Sequence, residues 1–469
     1  IGRSLAHEGV RLRRPIAVNL PHDLLTLPTI IRISRGLEYP KTFVTAKDLM
    51  AEAIQRPADR RQSRNFILGS LSFGHGISHL YDQGFPVFMP AIQAAMGLSN
   101  FQVAFMLGIR QGGFGAVNLV GGAIVDQMKA SWGPILIGCM IWAALGFLIL
   151  AASPNLVVLT VAVSVVSIPG ALWHLPSTAA LSRRFPDRRG FAISMHGFGS
   201  NVGNVCAPLV AGGLLTFMLW RHILLIYTIP AALMAVFVWW SLKDLGKEDG
   251  DDTWEKPKHD VMSAYREGLG MFKSPVVTTL VLAAAIRGVA NNALFQWSPF
   301  YLKNATDGGL DMGYFSAGVH LSLLTGMGII SAPILGYLSD RYGRKQILVP
   351  GLILAAVLTM FVVSAGDTIW LAVLLGGIGL FSFALQQIIL AGLLDVVPRG
   401  TEATASGLIF GINGMLGFGS PFLAAFIIED LGGYGSIFYY VGALTLVSAV
   451  IISFIPFPNR PVARPRAAR

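Results

Sequence analysis

Charged residues are scarce in this sequence. Only 13% of its 469 residues are charged, whereas 54% are hydrophobic and the mean hydropathy is +0.62. Because soluble domains carry about 25% charged residues, this chain has too little polar surface to cover itself in water. The composition therefore excludes disordered, collagen-like and nucleic-acid-binding proteins, and it indicates a membrane protein.

Cysteine is almost absent as well, and the usual signatures of nucleotide binding and hydrolysis are missing. The two cysteines, Cys139 and Cys206, lie in apolar runs, which predicts neither a disulfide framework nor a thiolate metal site. The chain has no Gly-x4-Gly-Lys-Ser/Thr phosphate loop, no Gly-x-Ser-x-Gly elbow and no His-Glu-x-x-His pair. We therefore predict no enzyme activity, no cofactor and no use of ATP.

The sequence instead contains long apolar runs. A membrane-spanning helix needs about 20 mostly apolar residues, because each residue rises about 1.5 Å and the hydrocarbon layer is about 30 Å thick. We predict an all-α polytopic membrane protein with twelve transmembrane helices in two pseudo-symmetric six-helix bundles, residues 65–242 and 275–457, joined by a polar linker at 243–274. The twelve runs lie near residues 66–90, 101–124, 133–152, 156–181, 191–216, 222–242, 275–302, 314–338, 346–365, 368–393, 404–428 and 436–457.

The positions of the Lys and Arg residues indicate the orientation. Positive residues are retained on the cytoplasmic face of a membrane, and nearly all of them fall in segments on the side of both termini. The other side receives only Arg221 and Lys303, and the spans contain only Arg110 and Arg287. We therefore predict a protein of the plasma (bacterial inner) membrane with both termini in the cytoplasm.

Basic tails flank the two predicted bundles. Residues 1–64 lack the short apolar core of a signal peptide, so we predict a disordered cytoplasmic tail there and a second basic cytoplasmic tail at 458–469. No methionine precedes Met50. Two expectations stay open for residues 1–49: translation starts at Met50 and they are not part of the native chain, or they touch anionic lipids.

Two sequence motifs recur in the predicted halves. The stretch GYLSDRYGRK at 336–345, after the eighth run, has a weaker copy, GAIVDQMK at 122–129, after the second run. Residues 186–201 align with residues 398–413 at a nearly equal shift. Nearly equal shifts from separate places predict a duplicated six-helix unit.

The motif at 336–345 resembles the signature loop of the major facilitator superfamily, and the resemblance covers residues 66–457. It implies a transporter whose two halves rock around a site near the membrane midplane. Loop charges that only set the topology are the alternative interpretation of the motif. The resemblance implies a set of gate residues at the cytoplasmic side, namely Asp340, Arg341, Arg344 and their counterpart Asp126.

Two further stretches resemble transporters of that superfamily. Residues 203–213, which include Pro208, resemble the glycine- and proline-rich motif of its antiporters, although an ordinary packing seam of small residues is the alternative. The stretch Phe73-Gly-His75, combined with residues 173–178 and 197–204, resembles the fosmidomycin-resistance branch of drug exporters. This resemblance implies proton-driven drug efflux as one possible function.

Titratable residues inside the spans are candidates for function, because a charge in the bilayer costs several kcal/mol unless it is paired or hydrated. The first span carries His75, His79 and Asp82 at spacings of four and three, so these side chains share one helix face. Arg110 in the second span lies at a depth similar to that of Asp82. Three interpretations stay open: a proton relay, a static ion pair between Asp82 and Arg110, and a divalent metal site.

Arg287 lies near the middle of the seventh span and is followed by Asn291, Asn292 and Gln296. Its planar guanidinium can hold two oxygens of a carboxylate or phosphonate, which predicts an anion-binding residue. Pairing with Asp82 or with a helix C-terminus is the alternative.

The family resemblance further implies that the first, fourth, seventh and tenth spans line a central cavity. It adds His174, Gln386 and Gln387, which come from both halves, to the predicted substrate site. The same predicted site includes Asn291, Trp173 and Arg110. The remaining polar residues of the spans are predicted to form hydrogen bonds in helix packing, namely His196, Asn201, Asn204 and Asn413, while His320 could serve either purpose.

The predicted function is secondary active transport by a monomer in the lipid bilayer. We expect a small anionic or zwitterionic solute to bind Arg287, and protons to enter through Asp82 with His75 or His79. The alternatives are a proton-driven drug or antibiotic antiporter, a divalent metal transporter, and a non-transporting sensor on the same fold.

Overall fold

The computed structural model of the protein describes residues 60–247, 262, 266, 269–396 and 402–456. Predictions for the two tails, for the Met50 start and for most of the linker fall outside the described residues. Inside the described helices, some side chains also lie outside the description, namely those of residues 122, 123, 126, 127, 394 and 402–409.

Six long helices form the first bundle. Consecutive helices are joined by short segments and run in alternating directions. Their bounds are α1 (Arg64–Met96), α2 (Asn100–Gln127), α3 (Trp132–Ala152), α4 (Leu156–Arg184), α5 (Arg189–Leu215) and α6 (Trp220–Leu242). The end of the molecule where α1 begins and α6 ends is called the linker end here, because the predicted linker joins the bundles there.

The second bundle repeats this plan with two interrupted spans. One span is divided at Met327 and another at Phe361. The helices are α7 (Pro275–Lys303), α8 (Tyr314–Gly326), α9 (Gly328–Tyr342), α10 (Arg344–Met360), α11 (Val362–Ala365), α12 (Ile369–Leu394), α13 (Glu402–Asp430) and α14 (Ser436–Phe454). With each interrupted pair taken as one span, the described residues contain twelve spans and no strand.

Hydropathy distinguishes these spans. Ten helical spans in the described part of the chain are long and apolar enough to cross a membrane, and α8 and α9 count as one of them. The other two are α1, which contains two histidines and Asp82, and α10, which has 17 residues. The predicted fold class, an all-α protein of twelve transmembrane helices, is confirmed.

Polar caps set the turn between the first two helices. Ser63 caps the start of α1 by accepting a hydrogen bond from the Phe66 N–H. Gly97, with φ +63°, ends that helix in the left-handed conformation that glycine adopts without a Cβ penalty. Two residues later, Ser99 and Gln102 form a reciprocal capping box that starts α2. The chain therefore reverses between two long helices without leaving their terminal amides unpaired.

Glycine allows α1 and α5 to pack backbone against backbone. A Cβ on Gly199 would collide with the carbonyl of Ser72, and a Cβ on Gly203 would collide with the carbonyl of Gly76. Gly203 belongs to the segment that resembles the antiporter motif, so this segment is at least a packing seam. The close crossing brings polar residues of the two helices into contact, namely His79 with Asn204 and His75 with His196.

The two bundles meet along two seams. In one, α2 crosses α13 where Gly115 and Gly414 touch without any side chain between them. In the other, Gly212 of α5 packs against Gly318 of α8. At the end opposite the linker, the Tyr434 hydroxyl donates a hydrogen bond of 2.8 Å to the side-chain oxygen of Asn100 on the other bundle.

The hydrophobic core differs between the two ends. Towards the opposite end, one cluster combines buried residues of both bundles, such as Phe88 and Trp297. Towards the linker end, the described core residues fall into two clusters, one around Leu280 in the second bundle and one around Trp132 in the first. The bundles therefore share a core at the opposite end and keep separate cores at the linker end.

Candidate functional site

Asp82 and Arg110 form a largely buried ion pair between α1 and α2. The Arg110 guanidinium donates to the Asp82 carboxylate and also to its backbone carbonyl, at 3.1 Å. The Arg110 side chain is 8% exposed and that of Asp82 is 27% exposed. The guanidinium also lies 5.2 Å from the centre of the Phe85 ring, within reach of a cation–π contact. The structure thus contains the ion pair between Asp82 and Arg110 that was one of the three interpretations of the sequence.

A small cavity borders Asp82. Its volume is about 20 Å³, and its lining residues come from α1, α3 and α4, including Ser78, Tyr81 and Gly170. A space of this size holds about one water molecule. The cavity therefore has room for one water molecule beside Asp82.

His75 and His79, the other two members of the predicted relay, take part in a separate histidine cluster. The His75 ring lies edge-on to His174 with centroids 4.5 Å apart, and stacks on His196 at 4.0 Å. The His79 ring lies 4.7 Å from His75 and 5.6 Å from His174. The four rings come from α1, α4 and α5. Sequence reasoning assigned His196 to packing and missed its place beside His75.

Hydrogen bonds orient two of these rings. His75 Nδ1 lies 2.9 Å from the backbone carbonyl of His196, and a carbonyl can only accept, so this nitrogen carries the proton. His79 Nδ1 lies 2.8 Å from the side-chain oxygen of Asn204, one of the predicted packing residues. In the described structure His75 Nε2 is buried without a hydrogen-bond partner, and the His196 ring has one nitrogen facing the backbone carbonyl of Leu71.

Arg287 is the counterpart of this polar region in the second bundle. It is 2% exposed, and its guanidinium donates to the side-chain oxygen of Asn291, one turn along α7. Among the described residues no acidic side chain forms an ion pair with it, and its Nε has no hydrogen-bond partner. The alternative that Arg287 pairs with Asp82 is wrong, because Asp82 is bound by Arg110.

Gln386 lies at the level of Arg287 on the neighbouring helix. The Asn291 amide donates to the Ser382 carbonyl of α12 at 3.3 Å, and the two helices are antiparallel. Arg287 on α7 and Gln386 on α12 each lie one turn from this contact, towards the linker end. The Gln386 side-chain oxygen is buried and lacks a hydrogen-bond partner in the described part of the chain.

Three further predicted substrate residues, Trp173, Gln387 and His174, differ in their surroundings. Trp173 is 0% exposed and belongs to the core of the first bundle, where its indole fills the space beside Gly74. The indole therefore contributes to packing, and its predicted role in substrate binding stays a prediction. Gln387 is exposed, one position beyond the half-buried Gln386. His174 contacts the histidines of its own bundle, and its pairing with Gln386 across a cavity stays a prediction.

The predicted gate residues lie at the linker end of the second bundle. Arg344, the first residue of α10, binds Asp340 of α9 at 2.5 Å and Asp395 at the end of α12 at 3.0 Å. Arg341 is exposed and lies over the ring of Tyr342. The side chain of Asp126 is outside the described residues. The ion pairs therefore join three helices of one bundle, and a gating role stays a prediction.

Comparison with known families agrees with this architecture. The profile of the Major Facilitator Superfamily matches residues 71–420 and 329–469. The chain belongs to the Major Facilitator Superfamily. As a member of this superfamily, it is a multi-pass integral membrane protein and a secondary transporter rather than an enzyme. The resemblance to the fosmidomycin-resistance branch stays a prediction.

Individual members of the superfamily resemble the chain over most of its length. It is 24% identical to the probable sulfoacetate transporter SauU of Cupriavidus necator over 437 residues, which is 84% of this chain and 94% of that protein. It is 22% identical to the membrane sensor protein UhpC of Escherichia coli over 442 residues, 89% of this chain and 97% of that one.

A solved structure of the superfamily has the same fold. It is a bacterial homolog of the human lysosomal transporter Spinster in an inward-facing and unoccupied conformation, with a TM-score of 0.63 and 16% identity. The match covers 83% of this chain and 94% of that chain. At this identity the likeness shows the fold alone.

Proposed function

We propose that this superfamily member carries a small organic anion with a carboxylate, sulfonate or phosphonate group across a bacterial inner membrane, driven by protons. The observation that carries the proposal is the buried Arg287 guanidinium, which has an amide partner and no acidic one among the described residues.

A buried charge without a counter-ion is unstable. Moving an ion out of water costs several kcal/mol even after the protein relaxes, and the cost is recovered only when an opposite charge is close and well oriented. Arg110 meets this requirement through Asp82. For Arg287, an anionic solute would supply the missing charge.

The groups around Arg287 suit an oxyanion. The guanidinium presents parallel N–H donors that match two oxygens of a carboxylate, sulfonate or phosphonate. The Asn291 amide and the Gln386 amide at the same level can complete the binding of such a group. One relative is named for sulfoacetate, a solute with a carboxylate and a sulfonate, which supports an anionic substrate for this chain.

Proton coupling is assigned to Asp82. Protonation of this carboxylate would remove the charge that holds Arg110, so the ion pair between α1 and α2 would weaken. The water-sized cavity beside Asp82 has room for a water that would exchange a proton with this carboxylate. Because His75 and His79 contact α4 and α5 instead, the coupling proposal rests on Asp82 alone.

The ion pairs of Asp340, Arg344 and Asp395 are proposed to act at the cytoplasmic gate. They tie α9, α10 and α12 into one unit at the linker end, where the two bundles have separate cores. A rigid unit of this kind would allow one bundle to move as a body against the other.

Transport can be measured in proteoliposomes that contain a pH-sensitive dye. Sulfoacetate and a panel of monocarboxylates, dicarboxylates and phosphonates are added outside, and flux and internal pH are followed. We expect flux with a pH change for at least one anion. Arg287→Lys keeps the charge but loses the two parallel donors, so it should lower flux; Arg221→Lys, at the opposite end, is the matched control.

The same assay decides against the alternatives. Flux of a cationic drug in place of every anion, or unchanged anion flux in Arg287→Lys, contradicts the proposal. The likeness to the sensor UhpC over 97% of that protein favours a sensor as the second candidate. Anion binding to the purified protein, detected by a rise in Tm, without any flux in proteoliposomes would favour the sensor.

A further inference from the structure

The histidine cluster of the first bundle takes no part in the proposed anion site. Its rings lie between α1, α4 and α5, whereas Arg287 and Gln386 lie on α7 and α12. Three of its members have potential ligand nitrogens that all lie within 4.8 Å of one another, namely those of His75, His174 and His196. We propose that these three side chains form a binding site for one divalent transition-metal ion of the Zn²⁺ class.

The distances are close to those of a metal site. Zinc binds histidine nitrogens at about 2.0–2.1 Å, so two nitrogens on one tetrahedral ion lie about 3.4 Å apart. The most distant of these nitrogens must therefore approach each other by up to about 1.4 Å. His174 is only partly buried, so its ring can turn towards the other two, and the stacked rings of His75 and His196 must separate slightly.

Hydrogen bonding leaves the required atoms free. A metal-binding histidine usually donates its second ring N–H to a carbonyl or carboxylate, which fixes the ring and the tautomer. His75 has this arrangement, because its Nδ1 bonds the His196 carbonyl at 2.9 Å and its Nε2 has no partner in the described structure. One nitrogen of the buried His196 ring likewise faces the backbone carbonyl of Leu71, which leaves its other nitrogen for the ion. A bound ion would satisfy these atoms, which otherwise cost free energy in the bundle interior.

The chemistry of the ligands selects the ion. Neutral imidazoles favour Zn²⁺, Cu²⁺ and Ni²⁺, whereas Ca²⁺ and Mg²⁺ require oxygen ligands. Three histidines with a water as the fourth ligand are a known zinc arrangement. His75 and His196 are 4% and 2% exposed, so the water and the ion would enter beside the partly exposed His174.

Bound metal would fasten three helices together. The three ligands come from α1, α4 and α5, and the glycine contacts between α1 and α5 place two of them face to face. An ion at this point connects these helices within the first bundle, independently of whether the second bundle binds an anion. We therefore expect zinc to raise the Tm of the protein.

Zinc binding can be measured on the full chain carrying an affinity tag without histidines. The protein in detergent is equilibrated with ZnCl₂, desalted and analysed for zinc, and the affinity is obtained by competition with a chromophoric chelator. We expect one ion per chain. His174→Gln and His196→Gln should each weaken binding by at least about 10–100-fold, the loss that even outer-shell changes cause at metal sites. His222→Gln, an exposed histidine at the opposite end, is the matched control.

A spectroscopic measurement on the unaltered protein guards against variants that fail to fold. Co²⁺ replacing Zn²⁺ should give the intense visible d–d bands of tetrahedral nitrogen coordination, and Zn²⁺ should displace it. Weak octahedral bands, zinc retention equal in His196→Gln and the unaltered protein, or loss of zinc in His222→Gln would each overturn the proposal. Loss of anion flux in Arg287→Lys with zinc binding intact would show that the two sites are separate.

Discussion

Each of the two bundles buries one arginine within a membrane span, and the two bundles accommodate it differently. In the first bundle Arg110 is neutralised by Asp82 from the adjacent helix. In the second bundle Arg287 has Asn291 as its partner and no acidic partner among the described residues. The first arrangement is complete within the protein, whereas the second leaves a charge that we propose an anionic ligand neutralises. A buried charge is therefore informative about function mainly when its partner is missing.

The largest expected effect follows from breaking the complete pair. Asp82→Asn leaves the Arg110 guanidinium buried without a counter-ion, which costs about 3–5 kcal/mol at buried sites and is expected near the lower value here because Asp82 is 27% exposed. We expect a marked fall in Tm and loss of proton-coupled flux. Thermal unfolding in detergent and the proteoliposome assay measure the two effects.

The double variant Asp82→Asn with Arg110→Gln removes both charges and serves as the control. It should recover much of the lost Tm, because no uncompensated charge remains. A single variant as stable as the unaltered protein would show that the ion pair is not the feature that distinguishes the first bundle.

Removal of the buried arginine of the second bundle should not lower the Tm, in contrast to Asp82→Asn in the first. Arg287→Gln removes a buried charge that has no acidic partner, so Tm should stay the same or rise, while anion affinity should fall by about 10–100-fold, the value of a hydrogen bond to a charged group. Titration of the anion against Tm measures both quantities. A fall in Tm comparable with that of Asp82→Asn would mean that Arg287 has a structural partner.

Glycine residues in the seam between the bundles should tolerate replacement by alanine less well than glycines beside the seam. Gly414→Ala places a methyl group against the Gly115 backbone, and crowding of this kind costs about 1–3 kcal/mol. We expect lower flux and a lower Tm. Gly419→Ala, on the same helix with open space around its Cβ position, is the control and should behave like the unaltered protein. Equal flux in both variants would indicate that the bundles separate at this point without cost.

The smallest effect is expected at the exposed linker end of the first bundle. There the Arg64 guanidinium donates to Asp187, and this hydrogen bond lowers the pKa of the Asp187 carboxyl below its ordinary value of 3.8. A lowered pKa contributes stability above the ordinary value, and this contribution is lost as the pH falls through the lowered pKa. Asp187→Asn should therefore reduce Tm slightly at pH 7, and the difference should vanish in acid. A difference that persists at low pH would have another cause.

The spans could be predicted because apolar length is a local property of the chain. The residues at which the spans end are harder to predict. The first run was predicted to end near residue 90, whereas α1 continues to Met96 and ends at the left-handed Gly97. Pro86 and Pro90 lie inside this helix, so proline did not mark its end. The interruptions at Met327 and Phe361 were not predicted, since no composition change accompanies them.

The polar clusters were harder to predict, because they depend on which helices touch. The spacing of His75, His79 and Asp82 correctly places them on one helix, but their partners lie on three other helices. His196 joins the cluster because α1 and α5 cross at glycines. The available signal was the pair Gly199 and Gly203, spaced one turn apart, with Gly76 next to a histidine, but a single sequence does not say that these helices meet.

The contact between Gly115 and Gly414 has a mechanical consequence. Each glycine lies 12 residues from the linker end of its helix, a lever arm of about 18 Å at about 1.5 Å per residue. A rotation of about 10° around this contact moves each of those helix ends by about 3 Å, while the touching backbones scarcely shift. No side chain separates the two backbones at this point, and we expect small changes of the crossing angle to set the distance between the two helix ends.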